Sequence, residues 1–492
     1  MALRETRVEN GLVRGIPCGW AGYTQYLGIP YAAPPVGDLR WRAPQPAKDW
    51  EGVRDCSRGS AICWQPTVGG EGSFYKREFY PVSEEKSEDC LYLNVWTPAQ
   101  STEEKLPVLF WIHGGGYRTG YGHSCHFDGE PFAKRGVILV TINYRLNVFG
   151  FMVHPELDAE NEQGVSGNYG LLDQMFALEW VYRNIGAFGG DPEKITIAGQ
   201  SAGAGSVQHL VSSPCMKTPI RGAIMQSGGG IRVLSRMNSN LKEAEAHTDL
   251  MGAFGVSSIE EARKIPAEEL FRKAFACPGF PMGPVVDGVV VPESLSDIAR
   301  KGGTKDIAYL IGFTGAEGLM APSDREQVRK AMTAELGPEA AETYMADVPE
   351  DPEAFKAFAK DYTGEEMRVG IEAWGILQER FGRRPVYTYC FDRMLPGDDV
   401  GPFHASDLWY VFETFHRSWR PMTGKDFELS EACCSYWCNF VKNLDPNEAG
   451  LPRWEPMVKP GAFMELGEDI GMMEMPDRPR LAVRREAITK EV

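Results

Sequence analysis

The sequence predicts an α/β architecture: one large, mostly parallel central sheet with helices on both faces, and helical insertions at one end. Three observations carry this. Runs such as PVLFWI, GVILVTI and KITIAG are apolar without polar alternation, as in strands buried on both faces. Between them lie segments with apolar residues at helical spacing, above all GLLDQMFALEWVYRNI (170–185). The chain is 492 residues long, with 43% hydrophobic and 24% charged residues, which is enough to build a substantial core.

Taken in order, the opening TRVENGLVRGI reads as a hairpin, with an Asn-Gly turn between two short alternating runs. From PVLFWIHGGG (107–116) onward, strands alternate with helices. GVILVTINYR is a buried strand, KITIAG another, RGAIMQSG and KDIAYLIGF continue the series, and PVYTYCFDR adds a late one. Helix-rich stretches interrupt the strands around 231–300 and 321–380. With no linker and no internal repeat, the expected organisation is a single domain over 1–492, these two insertions forming its cap.

The formal charge of −17 argues against nucleic acid as a partner, because phosphates would be repelled. No window approaches eighteen uninterrupted apolar residues, so no membrane span is expected. MALRETRVENGLVRG has no apolar signal core, which predicts a cytoplasmic protein; a secreted chain trimmed of its signal would read the same. Among eleven cysteines, Cys433, Cys434 and Cys438 fall in the aromatic stretch EACCSYWCNFV and read as buried structural thiols. His123 and His126 in GHSCHFDGE flank Cys125, yet no fourth ligand accompanies them. They read as a pocket-rim or surface loop, and no metal or cofactor is expected.

The chemistry starts at ITIAGQSAGAGSV (195–207). Ser201 stands at the exit of a strand and the start of a helix, flanked by Gly199 and Gly203. G-x-S-x-G in that setting is a sharp turn that lifts a nucleophilic hydroxyl clear of the sheet. It also aims the N–H of Ala202 at a developing oxyanion. FWIHGGGYRTG supplies the complement: after the strand ending at Ile112, Gly115 and Gly116 expose backbone N–H groups unobstructed by side chains.

A serine nucleophile needs a base and an acid, which follow it in the order acid, then histidine, in this kind of fold. Only His404 and His416 lie late enough. His416 belongs to the apolar stretch SDLWYVFETFH, which reads as an amphipathic helix. His404 lies in the loop PGDDVGPFHASDLWYVF, which ends at a helix cap read as Ser406. His404 is therefore the predicted base. Glu317 follows the strand IAYLIGF in a glycine-bounded turn and is the predicted acid; its competitor Asp287, in PVVDGVVVP, reads as a hairpin turn.

These motifs are arranged as in the type-B carboxylesterase/lipase family, and the sequence resembles that family over nearly its whole length. GIPYAAPPVGDLRWRAPQP is similar to the family's opening, and SEDCLYLNVWTP (87–98) and FGGDPEKITIAGQSAGA (188–204) match its two most specific signatures. The resemblance implies an α/β-hydrolase fold whose helical cap overlies an active-site gorge. It also implies a Ser201–His404–Glu317 triad and an oxyanion hole of Gly115, Gly116 and Ala202. The implied activity is hydrolysis of small-molecule carboxylic esters through an acyl-enzyme, on short- to medium-chain or aryl esters. The alternatives are a lipase on long acyl chains and a non-catalytic adhesion-type member. Two departures bear on substrate. Gln200 stands where the family usually has an acid, and the 63–90 stretch offers Trp64, Phe74, Tyr75, Phe79 and Tyr80 but no mid-loop tryptophan, so a choline ester is disfavoured. Cys63 and Cys90 match positions that secreted relatives close with a disulfide; in a cytosolic protein the expectation is that they stay reduced.

Overall fold

In a computed structural model, which describes residues 2–68, 73–80, 84–231, 250–277 and 283–490, the apolar runs form the strands. The chain divides into two compact units, Met1–Arg221 with Ser235–Ser294, and Gly222–Leu234 with Leu295–Val492.

The first unit opens with the expected hairpin, β1 (Glu5–Val8) and β2 (Gly11–Arg14), antiparallel and joined in parallel by β5 (Val53–Asp55). Its turn residues are Glu9 and Asn10, with Gly11 already paired to Val8, one residue earlier than an Asn-Gly turn would be. Its larger sheet runs β3 (Ile16–Cys18), β4 (Trp20–Pro30), β6 (Tyr92–Thr97), β8 (Ile138–Ile142), β7 (Leu106–Ile112) and β9 (Gly190–Gln200). β7 is parallel to both β8 and β9, whereas β3, β4, β6 and β8 pair antiparallel. The sequence pointed to the parallel part because β7 and β8 lie buried on both faces. β4 and β6 carry mixed patterns and were not recognisable as strands from their composition.

Phe110 pairs with Val140 on one side and Ile197 on the other, so the three strand ends that matter stand in fixed register. The predicted helix is Tyr169–Asn184. Its Asp173 is fully buried and accepts from Arg145 Nε at 2.7 Å, from Nη2 at 2.6 Å and from the Arg145 backbone N–H at 3.0 Å. A buried, bidentate pair of this kind ties the helix to the chain leaving β8.

The second unit carries β10 (Gly222–Gln226), β11 (Ala308–Thr314), β12 (Val386–Phe391) and β13 (Ala462–Leu466), parallel in that order, with β14 (Ile470–Glu474) antiparallel at the edge. The 321–380 stretch is helical as expected, over Arg325–Leu336, Pro338–Met345 and Pro352–Arg380, with a core of its own around Met332, Tyr344 and Phe358. The C-terminal helix Pro479–Thr489 docks there through buried Arg484, which bonds Glu335 at 2.7 Å and Glu366 at 2.7 Å. The 231–300 stretch is helical over Leu250–Phe254, Ile259–Arg263, Ala267–Ala276 and Leu295–Arg300; residues 232–249 and 278–282 lie outside the described residues. No helix among the described residues is long and apolar enough to cross a membrane.

Candidate active site

β9 delivers Ser201 into the left-handed region, at φ 56° and ψ −124°, and the helix Ala202–Ser212 begins at the next residue. A non-glycine residue there is strained, and it persists because its surroundings fix it. Gly199 and Gly203 are needed for approach rather than for dihedral freedom. A Cβ on Gly199 would meet the Gly203 carbonyl carbon at 2.4 Å, and one on Gly203 would meet the Ile112 carbonyl oxygen at 2.1 Å. The helix start thus presses against the end of β7, which no side chain permits. Gly203→Ala is therefore expected to cost about 1–3 kcal/mol of stability and, by shifting the serine, about 10²-fold in kcat. Near-normal turnover in a folded Gly203→Ala enzyme would contradict this.

The same end of β7 carries His113-Gly114-Gly115-Gly116. A Cβ on Gly114 would lie 3.2 Å from Ser201 Cβ, so the loop abuts Ser201. Gly115 (φ 104°) and Gly116 (φ 63°) turn the backbone, and the Gly115 carbonyl is held by the N–H groups of Arg118 and Thr119, each at 3.0 Å. Among the described residues nothing accepts from the N–H groups of Gly115, Gly116 or Ala202. Sequence reasoning missed what rigidifies this loop. The His113 ring donates from Nδ1 to the Gly114 carbonyl at 2.8 Å and stacks on Tyr144 at 4.5 Å, while Tyr144 donates its hydroxyl to the His113 carbonyl at 3.0 Å.

In the second unit, Glu317 follows β11 and His404 lies in the turn before the helix Leu408–Val411; both are buried, and His404 Nδ1 donates to Glu317 Oε2. Glu317 Oε1 accepts from the Thr314 N–H at 2.9 Å. Burial opposes ionisation of Glu317. The neighbouring His404, the Thr314 N–H and the Ser227 hydroxyl outweigh it and hold the carboxyl below its ordinary value. The two loops also meet in their backbones, Ala316 pairing with Phe403 and its N–H donating to the Pro402 carbonyl at 3.1 Å.

The rejected candidates are engaged elsewhere. Asp287 accepts from the N–H groups of Val289 and Val291 at 2.9 Å each and from Asn168 Nδ2 at 2.8 Å; it stabilises its own turn, though no hairpin strands flank it. His416 is exposed in the short 3₁₀ turn Phe415–Arg417, because the expected helix stops at Val411. Nor does Ser406 cap that helix. The N-cap is Asp407, whose side chain turns away from the helix, its Oδ2 accepting from Gln226 Nε2 at 2.8 Å and from the Tyr389 hydroxyl at 2.9 Å. Desolvation, with the Glu317 charge adding to it, pushes the Asp407 carboxyl up to about 6.

Cys433, Cys434 and Cys438 are buried in the helix Gly424–Asn443, as expected of structural thiols. Cys63 and Cys90 are buried free thiols. The hydrogen bond with Cys63, made by the protonated Cys90 thiol, and then burial raise Cys90 well above its ordinary value. The 122–130 loop is not a surface loop: His126 is buried, its ring 4.1 Å from Phe127 and 5.0 Å from Phe79. Burial lowers four histidines below their ordinary 6.5, His113 and His123 to about 4, His126 and His209 to about 3.

Below pH 6.5 the unfolded chain takes up protons that these folded histidines refuse. Stability is therefore complete above 6.5 and falls as pH drops toward 3, each pH unit of displacement being worth about 1.4 kcal/mol per histidine. The melting temperature is expected to drop steeply over that interval, and His209→Gln to flatten the slope. Equal slopes for variant and wild type would refute the linkage.

The sequence profile described as "Carboxylesterase family" matches residues 3–483. A fumonisin B1 esterase of Sphingopyxis macrogoltabida is 35% identical over 95% of this chain and 87% of its own. A phenmedipham hydrolase of Pseudarthrobacter oxydans is 32% identical over 88% of this chain and 89% of its own. The crystal structure of a Geobacillus stearothermophilus carboxylesterase superposes with a TM-score of 0.81 at 34% identity, covering 99% of this chain and 100% of that one.

Proposed function

This chain belongs to the carboxylesterase family and is a carboxylic ester hydrolase of α/β-hydrolase fold, and from that premise we propose that Ser201, His404 and Glu317 form its catalytic triad. Gly115, Gly116 and Ala202 supply the oxyanion donors. His404, with Nδ1–H committed to Glu317, presents Nε2 as base. It takes the Ser201 proton as Oγ attacks the ester carbonyl and returns it to the departing alcohol. Water activated by the same nitrogen then releases the acid from the acyl-enzyme. The observation that carries this reading is the strained Ser201 turn itself, closed on both sides by glycines and set against a loop with undonated N–H groups.

For substrate the reading is short- to medium-chain or aryl esters. It is supported by the family relatives, a phenmedipham hydrolase among them, and by the absence of the mid-loop tryptophan that a choline site would need. The test is intact mass after exposure to a fluorophosphonate, together with turnover of 4-nitrophenyl butyrate and of emulsified long-chain triglyceride. One stoichiometric adduct, absent in Ser201→Ala, with preference for the butyrate, is the expected result. Preference for the triglyceride would make the enzyme a lipase. No adduct and no turnover from folded wild type would refute the triad and favour the adhesion-type alternative.

A further inference from the structure

We propose that Arg420 is a positioning residue for the base: its guanidinium fixes the loop that carries His404, an inference that rests on His404 being that base. The loop LPGDDVGPF (395–403) runs without helix or strand between β12 and His404, apart from the bridge at Phe403, and turns through Gly397 at φ 109° and Gly401 at φ 81°. Such a segment has no ladder of its own to hold it, and glycines widen its conformational freedom. Yet it must set an imidazole to within a fraction of an ångström.

Arg420 supplies what the loop lacks. It is buried at 4% exposure and donates Nη1 to the Pro396 carbonyl at 3.0 Å, Nη1 to Asp398 Oδ1 at 2.9 Å and Nη2 to Asp398 Oδ2 at 3.0 Å. The same guanidinium lies over the Phe403 ring at 5.2 Å and the Trp419 ring at 4.8 Å. One planar cation therefore grips the loop at its start through a forked ion pair and at its end through an aromatic face. Phe403 is the residue immediately before His404, and its backbone pairs with Ala316, the residue immediately before Glu317. Fixing Phe403 thus fixes both members of the His404–Glu317 pair. Only arginine combines a bidentate fork with a stacking plane; an ammonium keeps the charge and loses both.

The test measures kcat and KM for 4-nitrophenyl butyrate, and the rate of fluorophosphonate labelling at Ser201, in the full chain. Arg420→Gln is expected to lower kcat and the labelling rate together by about 10- to 100-fold, the scale of an ångström's displacement of a catalytic group, with KM little changed. Arg420→Lys should recover only part of the loss, and Asp398→Asn should add little to Arg420→Gln, because the two act as one unit. A folded Arg420→Gln enzyme with wild-type kcat and labelling overturns the inference, as does a rise in KM alone.

If Arg420→Gln does not fold, Asp398→Asn alone carries the test, since Asp398 sits near the surface; a lowered kcat supports the role and an unchanged one overturns it. His404→Ala is run beside them. Labelling that survives in His404→Ala removes the base assignment and this inference with it. Labelling abolished there but normal in Arg420→Gln removes this inference alone.

Discussion

Ser201→Ala and His404→Ala are each expected to lower kcat by about 10⁴-fold or more, the scale on which removal of a triad member acts. The argument is chemical. Without Oγ there is no acyl-enzyme, and without imidazole the hydroxyl keeps its proton at neutral pH, so both variants fall to what binding and oxyanion stabilisation alone supply. Neither change should unfold the chain. Ser201→Ala removes one oxygen at a half-buried position, and the turn is set by Gly199 and Gly203, which remain. Steady-state turnover and fluorophosphonate labelling of the purified variants check this. A loss below about tenfold would mean that the assignment is wrong.

The second large effect is expected from Glu317→Gln, again about 10⁴-fold in kcat. Gln has the shape of Glu but can offer an amide N–H to His404 Nδ1. That favours the tautomer with the proton on Nε2, which cannot act as a base toward Ser201. It also removes the charge that stabilises the imidazolium formed during attack. Because burial is outweighed by His404, the Thr314 N–H and the Ser227 hydroxyl together, which hold Glu317 below its ordinary value, the carboxylate stays ionised throughout the working range. Its charge is lost only as pH falls below that of an ordinary glutamate. Glu317→Gln turnover within about tenfold of wild type would show that the carboxylate does not orient the base.

Legibility differed from part to part of the site for physical reasons. Asp407 lies only three residues beyond His404, yet its buried carboxyl facing Gln226 and Tyr389 had no signature, because its partners come from β10 and β12. Ser227 could have been noticed: it follows the strand ending at Gln226, at the same sheet end where Glu317 follows its own strand. The antiparallel strands β4 and β6 escaped because mixed patterns resemble loops as much as strands. The burial of His126 was likewise invisible, since a Gly/Ser/Asp-flanked stretch reads as surface until aromatic neighbours from the 74–79 helix close over it.

By itself the sequence determined the Ser201 turn, the glycine loop and the serial order of the parallel strands. These depend on local backbone geometry: a Cβ at Gly199 or Gly203 cannot fit, and a strand buried on both faces must be apolar throughout. Chain order and local setting singled out Glu317 and His404, but only tertiary structure shows that the two meet. Glu317 and His404 are 87 residues apart, and only the parallel pairing of β11 with β12 brings their loops together. It also decided that Asp287 is engaged by its own turn, that His416 faces solvent, and that Arg420 grips the loop before His404. Ion pairs and ring contacts between distant segments leave no spacing in the sequence to read, because their geometry arises only when the strands are in register.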